Sequence, residues 1–188
     1  MPGSIKIDDG SGNYTILTSP TSLGADKTIT MTNDGIKEVD QWTLTAAVTS
    51  DAVVSSNLSR LSTENLAGEA FGTGMSVSSG IWTFPSTGYW LVRVQASWRC
   101  IANDGCSLQI NGTDDNSTYN RIGQTNTGKS NHNEPIDSVT YAEVWLKITN
   151  TSNDKIQFET DSISSGSELR GSSTYTETGF TFIKVGEI

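Results

Sequence analysis

Residues 89–99 constrain the fold most tightly. In Tyr89-Trp90-Leu91-Val92-Arg93-Val94-Gln95-Ala96-Ser97-Trp98-Arg99, one parity holds Trp90, Val92, Val94, Ala96 and Trp98, and the other holds Arg93, Gln95, Ser97 and Arg99. Strand side chains alternate between two faces, so this pattern buries one face only as a long strand of a half-covered antiparallel sheet. A helix would scatter the same apolar residues around its circumference.

The rest of the chain carries the same period. Residues 139–149 place Ala142, Val144, Leu146 and Ile148 on one face and Tyr141, Glu143, Trp145 and Lys147 on the other. Shorter strands are expected from Gln41 to Val48, with Trp42 and Leu44 on one face, and at Ile81-Trp82-Thr83-Phe84, Lys155 to Thr160 and Gly179 to Val185. Leu58 to Leu66 fits a helix turn as well as a strand. Gly68 to Gly80 and the polar stretch Asn111 to Glu134 are expected as loops, the second as a long surface excursion. Strands punctuated by turn signals, with no βαβ pattern, make the chain all-β: an antiparallel sandwich or jelly roll.

Composition narrows the function. Ser and Thr number 25 each among 188 residues, and five Trp, five Tyr and five Phe accompany them. That disfavours helical bundles and solvating tails alike. The formal charge of −9, with Lys and Arg scattered singly, disfavours nucleic-acid partners. No apolar run reaches the roughly 20 residues of a membrane span. Met1-Pro2-Gly3-Ser4-Ile5-Lys6 lacks an apolar leader core, so synthesis in a cytoplasm is expected.

The chain divides into residues 1–38, an arm and linker, and residues 39–188, a head. Ile5 and Ile7 alternate with polar residues, a Gly-rich turn follows, and Tyr14 and Ile16 alternate again, which is hairpin grammar. Ile29 sits in a second short alternation. Strands this short do not fold alone, so Ile5, Ile7, Tyr14, Ile16 and Ile29 are the candidate docking residues of the arm.

Catalytic chemistry finds little support. The single histidine, His132, lies in a polar loop. Cys100 extends the apolar face of its strand and reads as a packed thiol rather than the nucleophile of a Cys100–His132 pair. A disulfide between Cys100 and Cys106 across the Asn103-Asp104-Gly105 turn remains open. The cysteines lack metal-ligand spacing, and Asp8-Asp9-Gly10 and Asp114-Asp115-Asn116 read as turns rather than cation loops. No catalytic residue, cofactor or metal is expected.

Gly74-Met75-Ser76-Val77-Ser78-Ser79-Gly80-Ile81-Trp82-Thr83-Phe84-Pro85-Ser86-Thr87-Gly88-Tyr89-Trp90-Leu91-Val92 resembles the early strands of C1q/TNF-like jelly rolls. Gly179-Phe180-Thr181-Phe182-Ile183-Lys184-Val185-Gly186 is similar to that family's final strand, which runs beside the three-fold axis. The resemblance spans roughly residues 40–188 and implies a homotrimer. The outward faces of the two long strands independently carry Tyr89, Leu91, Tyr141 and Trp145, more apolar area than a soluble monomer leaves exposed. These residues together with Phe182 of the final strand are the candidate trimer interface. Residues 5–20 resemble segments that precede C1q-like heads in structural proteins of marine bacteriophages, including cyanophages. This implies a non-enzymatic virion protein. Its partners would be copies of itself and a major capsid protein or other virion protein, with no nucleic acid and no membrane. The leading expectation is a capsid decoration (cement) protein docking through the arm. The alternative is a tail-fibre tip or receptor-binding knob that recognises a host surface glycan, and an enzyme acting on glycans is the third class.

Overall fold

The computed structural model describes residues 4–8, 14–18, 35–60, 70–101, 105–128 and 134–188. The chain falls into two compact units, Met1–Asn33 and Asp34–Ile188. In the first, β1 (Ser4–Asp8) and β2 (Tyr14–Thr18) pair antiparallel, from Ser4 opposite Thr18 to Asp8 opposite Tyr14. This is the hairpin that the alternation of Ile5, Ile7, Tyr14 and Ile16 predicts.

The second unit is a sandwich. Its strands are β3 (Glu38–Leu44), β4 (Ala52–Val53), β5 (Leu58–Ser59), β6 (Ser76–Ser78), β7 (Ile81–Thr83), β8 (Gly88–Cys100) and β9 (Ser107–Thr113). They continue as β10 (Asn120–Asn126), β11 (Ile136–Ile148), β12 (Lys155–Asp161), β13 (Glu168–Leu169) and β14 (Gly179–Gly186). Sheet I runs β10-β9-β12-β7-β6, with β4 paired to β12. Sheet II runs β11-β8-β14-β3-β5, with β13 paired to β8. All pairings among the described residues are antiparallel.

The two long strands behave as their period requires. β8 and β11 pair from Gly88 opposite Ile148 to Cys100 opposite Ile136 without a break. Trp90, Val92, Val94, Ala96 and Trp98 are fully buried. They face Leu108 and Ile110 of β9 and Ile156 and Phe158 of β12 across the inter-sheet space. Trp82 occupies the middle, its ring centroid 5.1 Å from that of Trp42 in an edge-to-face contact and 4.9 Å from that of Phe182. Such aromatic pairs add about 0.5–1.5 kcal/mol each beyond their buried area. The other buried indoles find acceptors: Trp90 Nε1 donates to the Ser86 carbonyl (3.2 Å), and Trp98 Nε1 to Thr140 Oγ1 (3.0 Å).

Two glycines mark close approaches. At Gly88, φ is +142°, and a Cβ would lie 2.5 Å from the Gly186 carbonyl oxygen, so the corner into β8 excludes any larger residue. At Gly123, a Cβ would lie 2.7 Å from Val144 Cγ1, where β10 of sheet I closes over β11 of sheet II.

The sandwich also holds an ion pair between a buried carboxylate and a partly exposed guanidinium. Asp40, 2% exposed, points into the core from β3. Its carboxylate accepts from Arg60 Nε (2.8 Å) and Nη2 (2.7 Å), Trp42 Nε1 (2.8 Å) and the Met75 N–H (2.7 Å). The Arg60 guanidinium lies 4.4 Å from the Trp42 ring centroid, and Asp40 raises its pKa further.

Two sequence expectations are corrected. The stretch Gly68 to Gly80 is not all loop: Ser76–Ser78 forms β6, and Val77 is opposite Trp82. The stretch Asn111 to Glu134 is not one long excursion. β9 runs on to Thr113, and β10 returns antiparallel to it over Asn120–Asn126. Polar residues suffice there because much of this hairpin faces solvent, so polarity alone does not separate an edge strand from a loop. Of the stretch Leu58 to Leu66, Leu58–Ser59 is a strand, and residues 61–66 lie outside the described residues. His132, Ile29 and the Asn103-Asp104 turn lie outside the described residues.

Candidate self-association surface

The outward parity of sheet II forms a continuous surface. Register places Val39, Ile183, Leu91 and Trp145 directly opposite one another on β3, β14, β8 and β11. Neighbouring strands are about 4.8 Å apart, so this apolar row is roughly 15 Å wide. The adjacent row is Gln41, Thr181, Arg93 and Glu143. Beyond it lie Thr43, Gly179, Gln95 and Tyr141. Trp145 is 66% exposed and Tyr141 63%, and Tyr89, Val139 and Val185 are exposed too. Leu91 and Ile183 are half-buried.

The polar row beside the apolar one is already internally paired. Arg93 donates from Nη2 (2.8 Å) and Nε (3.1 Å) to Glu143 Oε2. Both side chains are about half exposed, so the pair contributes at most about 1 kcal/mol to folding. One end of the surface is closed by the 170–178 segment. Arg170 N–H donates to the Ser97 carbonyl (2.7 Å), and Ser97 N–H donates to Thr178 Oγ1 (3.1 Å).

Four of the five interface residues expected from sequence therefore meet on one surface: Tyr89, Leu91, Tyr141 and Trp145. Phe182 does not. It is opposite Val92 and Asp40, both inward-facing, and is fully buried with its ring against Trp82. Its parity puts it in the core. Val39, Ile183, Val139 and Val185 are outward residues that the sequence reading missed. The signal was present in Gly179 to Val185, where Phe180 and Phe182 alternate with Thr181, Ile183 and Val185. Of the arm residues, Ile5 lies opposite Leu17, Ile7 opposite Thr15, Tyr14 opposite Asp8 and Ile16 opposite Lys6 in the backbone register.

Other polar groups have local roles. Asp115, in the β9–β10 turn, accepts from the N–H of Thr118 (2.7 Å), Thr113 Oγ1 (2.8 Å) and the N–H of Ser117 (2.8 Å). These donors hold its carboxyl well below the usual carboxylate range. Burial, with the Asp115 charge, raises the Tyr119 hydroxyl pKa. A cavity of about 440 Å³ opens between the sheets, floored by Ile122, Leu146, Ile148 and Ile156. At its rim, Asp154 is engaged with the N–H groups of Thr149 (2.6 Å) and Asn150 (2.8 Å). Among the described residues, no three His, Cys, Asp or Glu side chains gather as metal ligands. Cys100 and Cys106 are both buried, Cys100 as the apolar parity of its strand predicts.

No protein-family model matches this chain, and no curated protein matches its sequence. Solved structures do match. The Eiger TNF structure from S. frugiperda aligns with a TM-score of 0.61 at 12% identity, over 82% of this chain and 95% of that one. Murine APRIL at pH 5.0 aligns with a TM-score of 0.58 at 11% identity, over 78% of this chain and 98% of that one. At such identity the likeness speaks for the fold alone: the head is a TNF-like jelly-roll sandwich.

Proposed function

We propose that this chain is a non-enzymatic structural protein of a virion, a homotrimeric head that decorates a capsid and docks through its N-terminal hairpin. The supporting observation is the apolar row Val39, Ile183, Leu91 and Trp145 on the outer side of sheet II. The inward parity alone completes the core, so this row is not needed to fold one chain. Within the row Trp145 is exposed and Val39, Leu91 and Ile183 are half-buried, and Tyr141, Val139 and Tyr89 are exposed beside them. Apolar surface left open on one face marks an interface. A three-fold ring covers it in every copy and leaves no open end. The hairpin supports the docking role. A two-stranded sheet is marginal alone, and its outer edges, which pair with no further strand among the described residues, suit strand addition to a partner's sheet. The resemblance of residues 5–20 to phage structural proteins supports the virion setting.

The test is the location and copy number of this chain in purified particles. Many copies over the head, with docking lost when residues 1–33 are deleted, is the expected result. A few copies at the tail, with cell adsorption lost on removal, would replace decoration with a receptor-binding knob whose ligand is a host surface glycan. Unchanged docking of the truncated head would overturn the role of the hairpin.

A further inference from the structure

We propose that Cys100 and Cys106 form an intramolecular disulfide that staples sheet II to sheet I. Cys100 is the last residue of β8, in sheet II, and Cys106 immediately precedes β9, in sheet I. They are the chain's two cysteines. Both are buried, at 4% and 0% exposure, and their sulfurs are in contact at 2.8 Å. The backbone on either side is anchored. Thr127 N–H donates to the Cys106 carbonyl (2.9 Å), and Ile101 N–H donates to Ser167 Oγ (3.0 Å). Native packing thus brings the two thiols together without requiring the sheets to move.

The oxidant is a small-molecule disulfide of the glutathione type. A cysteine thiolate attacks it, giving a mixed disulfide and releasing one thiol. The second cysteine thiolate attacks the cysteine sulfur of that mixed disulfide and expels the second thiol. Two cysteine thiols become one disulfide, the reagent is reduced to two thiols, and the cysteine protons pass to the leaving thiolates. The seven-residue ring 100–106 restricts the unfolded chain, so the unfolding constant falls roughly 50-fold. Once formed, the bond lies inside the sandwich, where access to a reductant requires opening of this end.

The experiment unfolds and reduces the full chain, refolds it in a glutathione redox buffer, alkylates it and digests it with a protease that cuts before Asp. One cut falls between Asn103 and Asp104, so it separates the two cysteines. Expected is a chain lighter by two hydrogens, resistant to alkylation, whose two cysteine peptides stay joined until reductant is added. The urea midpoint then falls on reduction in the parent chain and does not change in Cys106→Ala. Two alkylated thiols at every glutathione ratio, glutathione adducts, or chain-to-chain disulfides would each overturn the proposal. If the chain fails to refold, natively purified protein is placed in the same buffer at sub-denaturing urea and read the same way.

Discussion

Replacing Asp40 by Ala is expected to be among the most damaging single changes in the head. The carboxylate is 2% exposed and receives four hydrogen bonds, from Arg60 Nε, Arg60 Nη2, Trp42 Nε1 and the Met75 N–H. Its removal leaves a partly buried guanidinium without its counter-ion and two further donors without an acceptor. Breaking a buried pair by deleting one partner costs about 3–5 kcal/mol. The orphaned indole and amide donors act in the same direction, at about 1–3 kcal/mol each where no water reaches them. A net loss of about 3–5 kcal/mol allows for relaxation of Arg60 toward solvent, since its side chain is 32% exposed. For a chain of this size each kcal/mol shifts Tm by roughly 2–4 °C, so the midpoint should drop by about 6–20 °C. Asp40→Asn keeps one oxygen acceptor and should lose less. The assay is urea unfolding followed by tryptophan fluorescence, at fixed protein concentration because the proposed self-association would add to apparent stability. A double-mutant cycle with Arg60→Ala should give a coupling of about 1 kcal/mol or more. A loss below about 1 kcal/mol for Asp40→Ala, with no coupling to Arg60, would refute the view that this network ties β3 to the Arg60 and Met75 segments.

Three further outcomes follow from the same geometry. Trp82 is fully buried and, among the described residues, its Nε1 has no hydrogen-bond partner. Trp82→Phe removes an orphan donor along with ring volume and should cost about 1–2 kcal/mol, against about 3–5 for Trp82→Ala; equal losses in urea unfolding would contradict this. Asp115 has a depressed folded-state pKa, so its stabilisation is in place above the unfolded carboxylate value near ~4 and is lost as pH falls through the folded value. Asp115→Asn should therefore flatten the stability profile below about pH 4, and a profile unchanged from the parent would count against it. Trp145→Glu combined with Leu91→Glu should shift the chain toward single copies while leaving the near-ultraviolet signature of the core intact. An unchanged assembly would show that the outer side of sheet II is not the interface.

The fold was legible where apolar periodicity was strong. Trp90, Val92, Val94, Ala96 and Trp98 announced β8 and its buried side, and Ala142, Val144, Leu146 and Ile148 did the same for β11. It was less legible at Ser76–Ser78 and Asn120–Asn126, where polar edge strands are held by backbone pairing rather than by side-chain burial. The candidate surface was legible in part. Tyr89, Leu91, Tyr141 and Trp145 followed from the parity of the two long strands, whereas Phe182 was assigned by resemblance and parity alone would have corrected it. Val39 and Ile183 complete the apolar row only through the register of β14 between β8 and β3. That pairing joins residues some 90 to 145 positions apart in sequence, and no local pattern encodes it. The Asp40–Arg60 pair is equally invisible, because Asp40 reads as an ordinary polar residue until both partners are placed in space.

The most direct test of the proposed trimer is the mass of the full chain in solution, measured by light scattering or sedimentation at micromolar concentration. Three times the 20.2 kDa of one chain is the expected particle. A particle of 20.2 kDa that persists as concentration rises would contradict the self-association on which the proposed function rests.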